Sequence, residues 1–143
     1  MLDIKVKYHS VLLPKLRKID NGDWVDLYCA SKTKFKAGEF KLISLGVSVD
    51  IPEGYEMHIA PRSSTFKTWG ILQANSIGII DNSYCGDNDI LMLPALAMRD
   101  TTIEFGDKIC HFRLVKQQDK INFIEVDSLG NADRGGIGST GTR

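Results

Sequence analysis

A chain of 143 residues, 43% hydrophobic and 25% charged, is long enough to bury one core without disulfides or metal and too short for two ordinary domains. Eighteen Lys and Arg offset eighteen Asp and Glu, and this formal net charge of zero excludes the broad basic face of a non-specific nucleic-acid binder, so an anionic ligand must be met locally. Cys29, Cys85 and Cys110 are odd in number and lack C-x-x-C spacing, so neither a disulfide framework nor a zinc site is suggested; with no apolar run of signal-peptide or membrane-span length, the expectation is a cytoplasmic protein without membrane contact.

In chain order, Ile4, Val6 and Tyr8 alternate with Lys5 and Lys7 and predict a half-buried strand. Gly22-Asp23-Trp24-Val25-Asp26-Leu27 reads as a polar loop. Its two carboxylates, three apart, suit a Mg²⁺ held through water, because that ion dehydrates reluctantly, although solvated turn acids are the commoner meaning of the pattern. Ile43, Leu45, Val47, Val49 and Ile51 alternate for five steps and predict one long half-buried strand; Tyr55, Met57 and Ile59 predict another. Ala60-Pro61-Arg62-Ser63-Ser64 follows, with a short helical turn predicted from Ser64 to Trp69. Arg supplies a planar fork of donors and the serines two hydroxyls, a set suited to phosphate oxygens. The ordinary alternative is a helix N-cap in which Ser63 or Ser64 bonds a free backbone N–H, and the two are compatible because a helix N-terminus attracts anions.

Between Asn75 and Asp87, apolar residues lead to Asp81 and then Tyr84, a pattern that looks like a β-hairpin presenting one carboxylate and one ring. A calcium loop beginning at Asp81 fails, since Cys85 stands at its fifth position and Met92 where its bidentate Glu belongs. Taken alone, Asp81 is a turn residue. Ile109 to Val115 and Ile121 to Val126 predict the last two strands. Many short strands, with no long 3.6-residue period, predict an all-β barrel or sandwich over residues 1–129. After Leu129 too few apolar residues remain to bury a segment, so 130–143 is expected to be a mobile C-terminal arm.

That arm contains Gly136-Ile137-Gly138-Ser139-Thr140-Gly141, a match to G-x-G-x-x-G. The dinucleotide fingerprint needs a preceding strand and roughly 20 further residues of helix and strand, which this position lacks. The arm's amides, the hydroxyls of Ser139 and Thr140 and the Arg134 guanidinium could instead close over a polyphosphate docked elsewhere; the ordinary reading is a disordered terminus.

None of these segments is specific alone, but their order is. Gly22-x-x-x-Asp26-Leu27, Pro61-Arg62-Ser63-Ser64, Gly78-Ile79-Ile80-Asp81-x-x-Tyr84-x-Gly86, Gly106-Asp107-Lys108-Ile109-Cys110 and the terminal Gly-Ser-Thr-Gly resemble the five motifs of the trimeric deoxyuridine triphosphatases, the dUTPases, from about Asp23 to Gly141. The resemblance implies a jelly-roll-like β-clip fold and a homotrimer whose active sites are shared between subunits. It also implies Mg²⁺-dependent hydrolysis of dUTP to dUMP and pyrophosphate by water attack on the α-phosphorus. That reaction limits uracil in DNA and supplies the dTMP precursor.

By position, Asp26 resembles the acid that holds Mg²⁺ through water, and Arg62, Ser63 and Ser64 the triphosphate contacts. Asn75 and the backbone from Gly78 to Ile80 resemble the segment that reads the uracil edge, Tyr84 the ring against deoxyribose, and Asp81 the acid that orients the attacking water. Arg134, Gly138, Ser139 and Thr140 would form the closing arm, and His111 stands where the family usually has Gln. A carboxylate with a reference pKa of about 3.9 is a weak base, so the resemblance leaves most of the rate to electrostatics from Mg²⁺ and arginine. Trp24 and Val25 replace the usual first-motif residues, Ile137 replaces the tail aromatic, and Arg134 lies closer to the tail motif than usual. The substitution of His111 predicts pH dependence. The rival readings are a dCTP deaminase, which shares the fold and an Arg-Ser-Ser motif, and a nucleotide-sensing module that contacts a regulatory protein. Direct nucleic-acid binding is not expected.

Overall fold

The computed structural model describes residues 1–138 and Gly141. Eleven strands and one short helix follow in the order β1 (Lys5–Tyr8), β2 (Val25–Tyr28), β3 (Thr33–Phe35), β4 (Phe40–Ser44), β5 (Val47–Asp50), β6 (Tyr55–Pro61), α1 (Thr65–Trp69), β7 (Ile71–Gln73), β8 (Gly78–Ile80), β9 (Met92–Ala97), β10 (Thr101–Ile103) and β11 (Lys108–Lys116). The antiparallel pairs β4–β9, β3–β10 and β2–β11 nest one outside another, so the two halves of the chain run as a long ribbon that folds over itself in the jelly-roll manner. β11 also pairs with β6, and β6 with β8; β7 joins β9, and β1 pairs with β5. The described strands form four small sheets that do not close into a barrel, which leaves the open alternative of the two all-β expectations.

Leu27, Ile43, Leu45, Val47, Met57, Ile59, Leu93 and Ile109 are fully excluded from solvent and join strands of different sheets in one core. The alternation from Ile43 to Ile51 is correct in direction but not in continuity. All five apolar residues are buried, yet the run is broken at Gly46 into β4 and β5, which enter different sheets. Gly46 has φ of +69°, and a Cβ there would lie 2.5 Å from the Ala30 Cβ. The bend lets the Leu45 N–H donate to the Leu91 carbonyl while the Val47 carbonyl accepts from the Leu91 N–H.

Three other expectations need correction. Val25 to Leu27 belongs to β2 rather than to a loop, so Asp26 sits on a strand edge-on to β11. The segment from Asn75 is not a hairpin, because β7 pairs with β9 while β8 pairs with β6, and the intervening turn crosses between sheets. Ile121 to Val126 forms no strand: Ile121, Phe123, Ile124 and Val126 are exposed, with Phe123 at 90%. A strand needs an edge to pair with, and none within the described chain meets this one. The helical turn is observed as α1, one residue shorter than expected.

Replacing Gly46 by Ala combines a left-handed backbone with a collision at the Ala30 Cβ, and should destabilise the fold by about 2 kcal/mol or more. Urea denaturation of Gly46→Ala checks this; a change within about 0.5 kcal/mol of wild type, the range of an ordinary surface substitution, would contradict the role given to the bend.

Candidate active site

Apart from those of the C-terminal arm, the residues singled out by the sequence gather into two groups. The first is built where β2, β11 and the end of β6 meet. Pairing sets His111 of β11 opposite Asp26 of β2 on one edge and Ala60 of β6 on the other. Arg62, just past β6, brings Nε to 3.1 Å from Asp26 Oδ1, and Lys108 Nζ lies 3.7 Å from Oδ2. Arg62 also donates from Nη1 to the Lys108 carbonyl at 3.3 Å. Both side chains of the Asp26–Arg62 pair are about seven-tenths buried, so the guanidinium is aimed by two acceptors rather than left to wander.

Thr65 is the residue here that sequence reasoning missed. Its buried hydroxyl accepts from the Arg62 N–H at 2.9 Å and donates to the Ile109 carbonyl at 3.0 Å, locking the Arg62 turn onto β11. A hydrogen-bonding side chain three residues beyond the turn's first N–H is the spacing of a capping box, and that was the available signal. The N-cap reading of the serines is not what forms: Ser64 occupies the cap position without a side-chain cap bond, and Ser63 is exposed. α1 has only five residues, so its dipole adds little, and the charge of the site comes from Arg62 and Lys108.

Asp23 faces Arg113, with Oδ2 3.3 Å from Nε, so the two first-motif carboxylates engage different cations and do not form a shared metal site. Among the described residues no three His, Cys, Asp or Glu converge on a point. Asp26 alone fits Mg²⁺ in the way that ion is commonly met in phosphate chemistry, through its waters, with the remaining ligands supplied by the phosphates that carry it.

Trp24 stacks on His111 with ring centroids 4.7 Å apart and an interplanar angle of 35°. Thus two of the departures from the family pattern touch each other. Burial pushes the His111 pKa below its usual 6.5; the Asp26 carboxylate opposes that shift and the Arg62 guanidinium adds to it.

The second group lines a pocket of about 430 Å³ bounded by Asn75, Gly78, Ile80, Asp81, Tyr84 and Met92. Asp81 Oδ1 accepts from the Ser83 N–H at 2.8 Å, and this bond, with a further one from the Ser83 hydroxyl, holds the exposed carboxyl below the usual carboxylate range. Tyr84 donates its hydroxyl to the Ile90 carbonyl at 2.9 Å, which fixes the ring at the pocket wall. Gly78 packs so closely on β6 that a Cβ would stand 3.2 Å from the Ile59 Cβ.

The two groups do not meet in one chain. Ile59 faces Gly78 and Met57 faces Ile80 across β6 and β8, so Asp81 emerges beside Glu56, six residues from Arg62 and roughly 20 Å along the strand. No hydrogen bond or ion pair among the described residues links them. Arg134 and Gly138 are exposed, and Ser139 and Thr140 lie outside the described residues.

The fold keeps His111 neutral more strongly than the unfolded chain does, so between the folded and unfolded pKa values the unfolded state binds more protons. The resulting contribution to stability is complete above about pH 6.5 and is lost as pH falls through the folded pKa. His111→Gln should therefore flatten the acid-side loss of stability below pH 6.5, measured as melting temperature against pH, whereas parallel curves for the two proteins would assign that loss to other groups.

A dUTPase family model matches residues 24–142. The SPbeta prophage-derived deoxyuridine 5'-triphosphate nucleotidohydrolase YosS of Bacillus subtilis (strain 168) is 52% identical over 142 residues, covering 99% of this chain and 100% of its own. The deoxyuridine 5'-triphosphate nucleotidohydrolase of Finegoldia magna is 39% identical over 132 residues, 90% of this chain and 91% of its own. The solved dUTPase of Staphylococcus bacteriophage 80alpha with dUPNHPP shares the fold at a TM-score of 0.80 and 19% identity, covering 97% of this chain and 98% of that one. A mutant dUTPase from phage phi11 of S. aureus, whose structure details the coordination of a structural Mg(II) ion, matches at 0.77 and 18%, covering 89% and 98%. Matched by the family model over most of its length and by relatives almost end to end, the chain belongs to the dUTPase family.

Proposed function

We propose that this chain hydrolyses dUTP to dUMP and pyrophosphate with Mg²⁺, in a homotrimer whose sites each draw the Asp81 pocket from one copy and the Asp26–Arg62 group from another. The observation that carries this reading is the separation of the two groups along β6, together with the surface beside the pocket. The outer face of the β4–β9–β7 sheet exposes Phe40, Leu42, Leu72 and Met92, where the outer face of an antiparallel sheet is normally polar. Met92 belongs both to this face and to the pocket wall, so a second copy seated on the sheet would complete the cleft. The exposed apolar residues from Ile121 to Val126 offer a further surface to a neighbouring copy.

In this reading Asp81 accepts a hydrogen bond from a water and aims its oxygen at the α-phosphorus. Its lowered pKa keeps it ionised and makes it a poor base, so it orients the water rather than stripping its proton in advance. The water oxygen bonds to the α-phosphorus as the bond to the bridging oxygen breaks; pyrophosphate leaves with the electron pair, and the water's proton passes to solvent. Arg62, aimed by Asp26, stabilises the charge on the phosphates, and Ser63 and Ser64, not spent on capping, donate to their oxygens. Asp26 would hold Mg²⁺ through water, and the ion would supply neutralisation of the phosphate charge. Asn75 and the backbone of Gly78 to Ile80 read the uracil edge. The tethered Tyr84 ring leaves no space for a 2′-hydroxyl, and exclusion by shape is needed because an apolar pocket alone rejects an added hydroxyl only about a hundredfold. His111 donates one hydrogen bond to the triphosphate as the neutral imidazole. Arg134, Gly138, Ser139 and Thr140 close over the bound nucleotide as an arm. A cytoplasmic setting is supported by the three free thiols.

Pyrophosphate release with Mg²⁺ from dUTP, beside dCTP, dTTP and UTP, tests the reaction: release from dUTP alone is expected. Ammonia from dCTP would make the chain a deaminase, and tight dUTP binding without turnover would make it a nucleotide-sensing module. Asp81→Asn should lower kcat by at least about a hundredfold while dUTP still binds; wild-type turnover in that variant would remove Asp81 from the chemistry.

A further inference from the structure

Gln73 closes β7 at the entrance to the crossing that carries Asn75, and it is buried at 9% exposure. Its Nε2 donates to the Ile59 carbonyl at 2.9 Å, in the interior. Ile59 is the β6 residue paired with Gly78, the first residue after the crossing. The side chain at the entrance is therefore bonded to the strand residue that faces the exit, and one amide spans from the β4–β9–β7 sheet to the sheet of β6 and β8. The turn between is short and bent: the Ser76 N–H donates to the Gln73 carbonyl at 3.1 Å, and Ser76 is the one non-glycine with positive φ among the described residues, at +64°.

The other end of the amide sharpens the argument. Gln73 Oε1 is the one buried side-chain polar atom among the described residues without a hydrogen-bond partner. A buried acceptor left idle is unfavourable, and an apolar residue of similar volume would fill the space without that cost. Packing alone therefore does not account for glutamine here; what it adds is the Nε2 donor. Gly78 rests directly on this contact, since a Cβ there would stand 3.2 Å from the Ile59 Cβ and 3.6 Å from Gln73 Nε2.

We propose that Gln73 is a positioning residue for substrate selection, its amide pinning the Asn75–Gly78 crossing to β6 so that the pocket edge beside Asp81 keeps one shape. The proposal rests on the reading that this edge recognises the pyrimidine of dUTP. Gln73→Met removes the donor and the idle acceptor together at similar volume. The expected result is a melting temperature close to that of wild type, faster amide hydrogen exchange over residues 74–78, and a KM for dUTP raised about tenfold with kcat little changed. Preference for dUTP over dCTP should fall with it. Gln73→Glu supplies a second probe should the first fail to fold: ionised, it has no donor for the Ile59 carbonyl, and protonated it regains one, so its KM defect relative to wild type should shrink as pH falls.

Wild-type exchange and KM in both variants would overturn the proposal, as would a lowered melting temperature with equal loss of kcat for every substrate, which is the mark of a merely structural contact. The exchange result decides the pinning by itself. Absence of dUTP hydrolysis by the wild-type protein would refute the functional reading separately.

Discussion

Strand β6 is hydrogen-bonded along both edges, to β11 on one side and β8 on the other, and those two registers set where the Arg62 group and Asp81 stand relative to one another. Pairing with β11 brings His111 beside Ala60, and through β2 sets Asp26 where Arg62 leaves the strand. Pairing with β8 seats Gly78 against Ile59 and delivers Asp81 at the opposite end. A slip of one residue in either ladder would turn an entire strand inside out, so the buried Met57 and Ile59 hold the chemistry in place as much as they hold the core.

A chain with no net charge must concentrate charge to meet a triphosphate, and this one does so with a carboxylate, a guanidinium and an ammonium around one strand end. Partly exposed ion pairs of this kind contribute on the order of 0–1 kcal/mol to stability. Such a small term cannot explain the arrangement as a fastening; it explains the arrangement as aim. Asp26 and the Lys108 carbonyl fix the direction of the Arg62 fork before any ligand arrives, and Thr65 fixes the backbone that bears it. Preorganised donors of this sort cost no rearrangement when charge develops in the transition state.

Elements with a clear period were legible in the sequence: β1, β6, β11 and the single helical turn all stand where alternation or turn chemistry put them. Elements shaped by tertiary demand were not. The run from Ile43 to Ile51 alternates without interruption, and only the contact with Ala30 shows why Gly46 must bend it. β9 was hidden by Pro94, which lacks a ladder donor but still accepts from the Ala74 N–H at 2.9 Å. The strand expected from Ile121 to Val126 has the right pattern and no edge to pair with among the described residues, a property no single sequence displays.

Of the site, residue types in order were readable from motif resemblance, whereas their division into two groups was not, since it depends on β6 register. Gln73 was missed because a lone Gln before Ala carries no pattern, and Thr65 because only its capping-box spacing from Arg62 marks it, beside two serines that are commoner caps; each acts through one long-range carbonyl. The central claim is that an active site draws on two copies of the chain, and mixing inactive variants tests it most directly. Asp81→Asn and Arg62→Ala, each inactive alone, are unfolded and refolded together. With Asp81 and Arg62 of each site supplied by different, randomly assorted copies, about a quarter of wild-type activity should return. Activity no greater than the sum of the separate variants would contradict the shared site and require Asp81 and Arg62 to act within one chain.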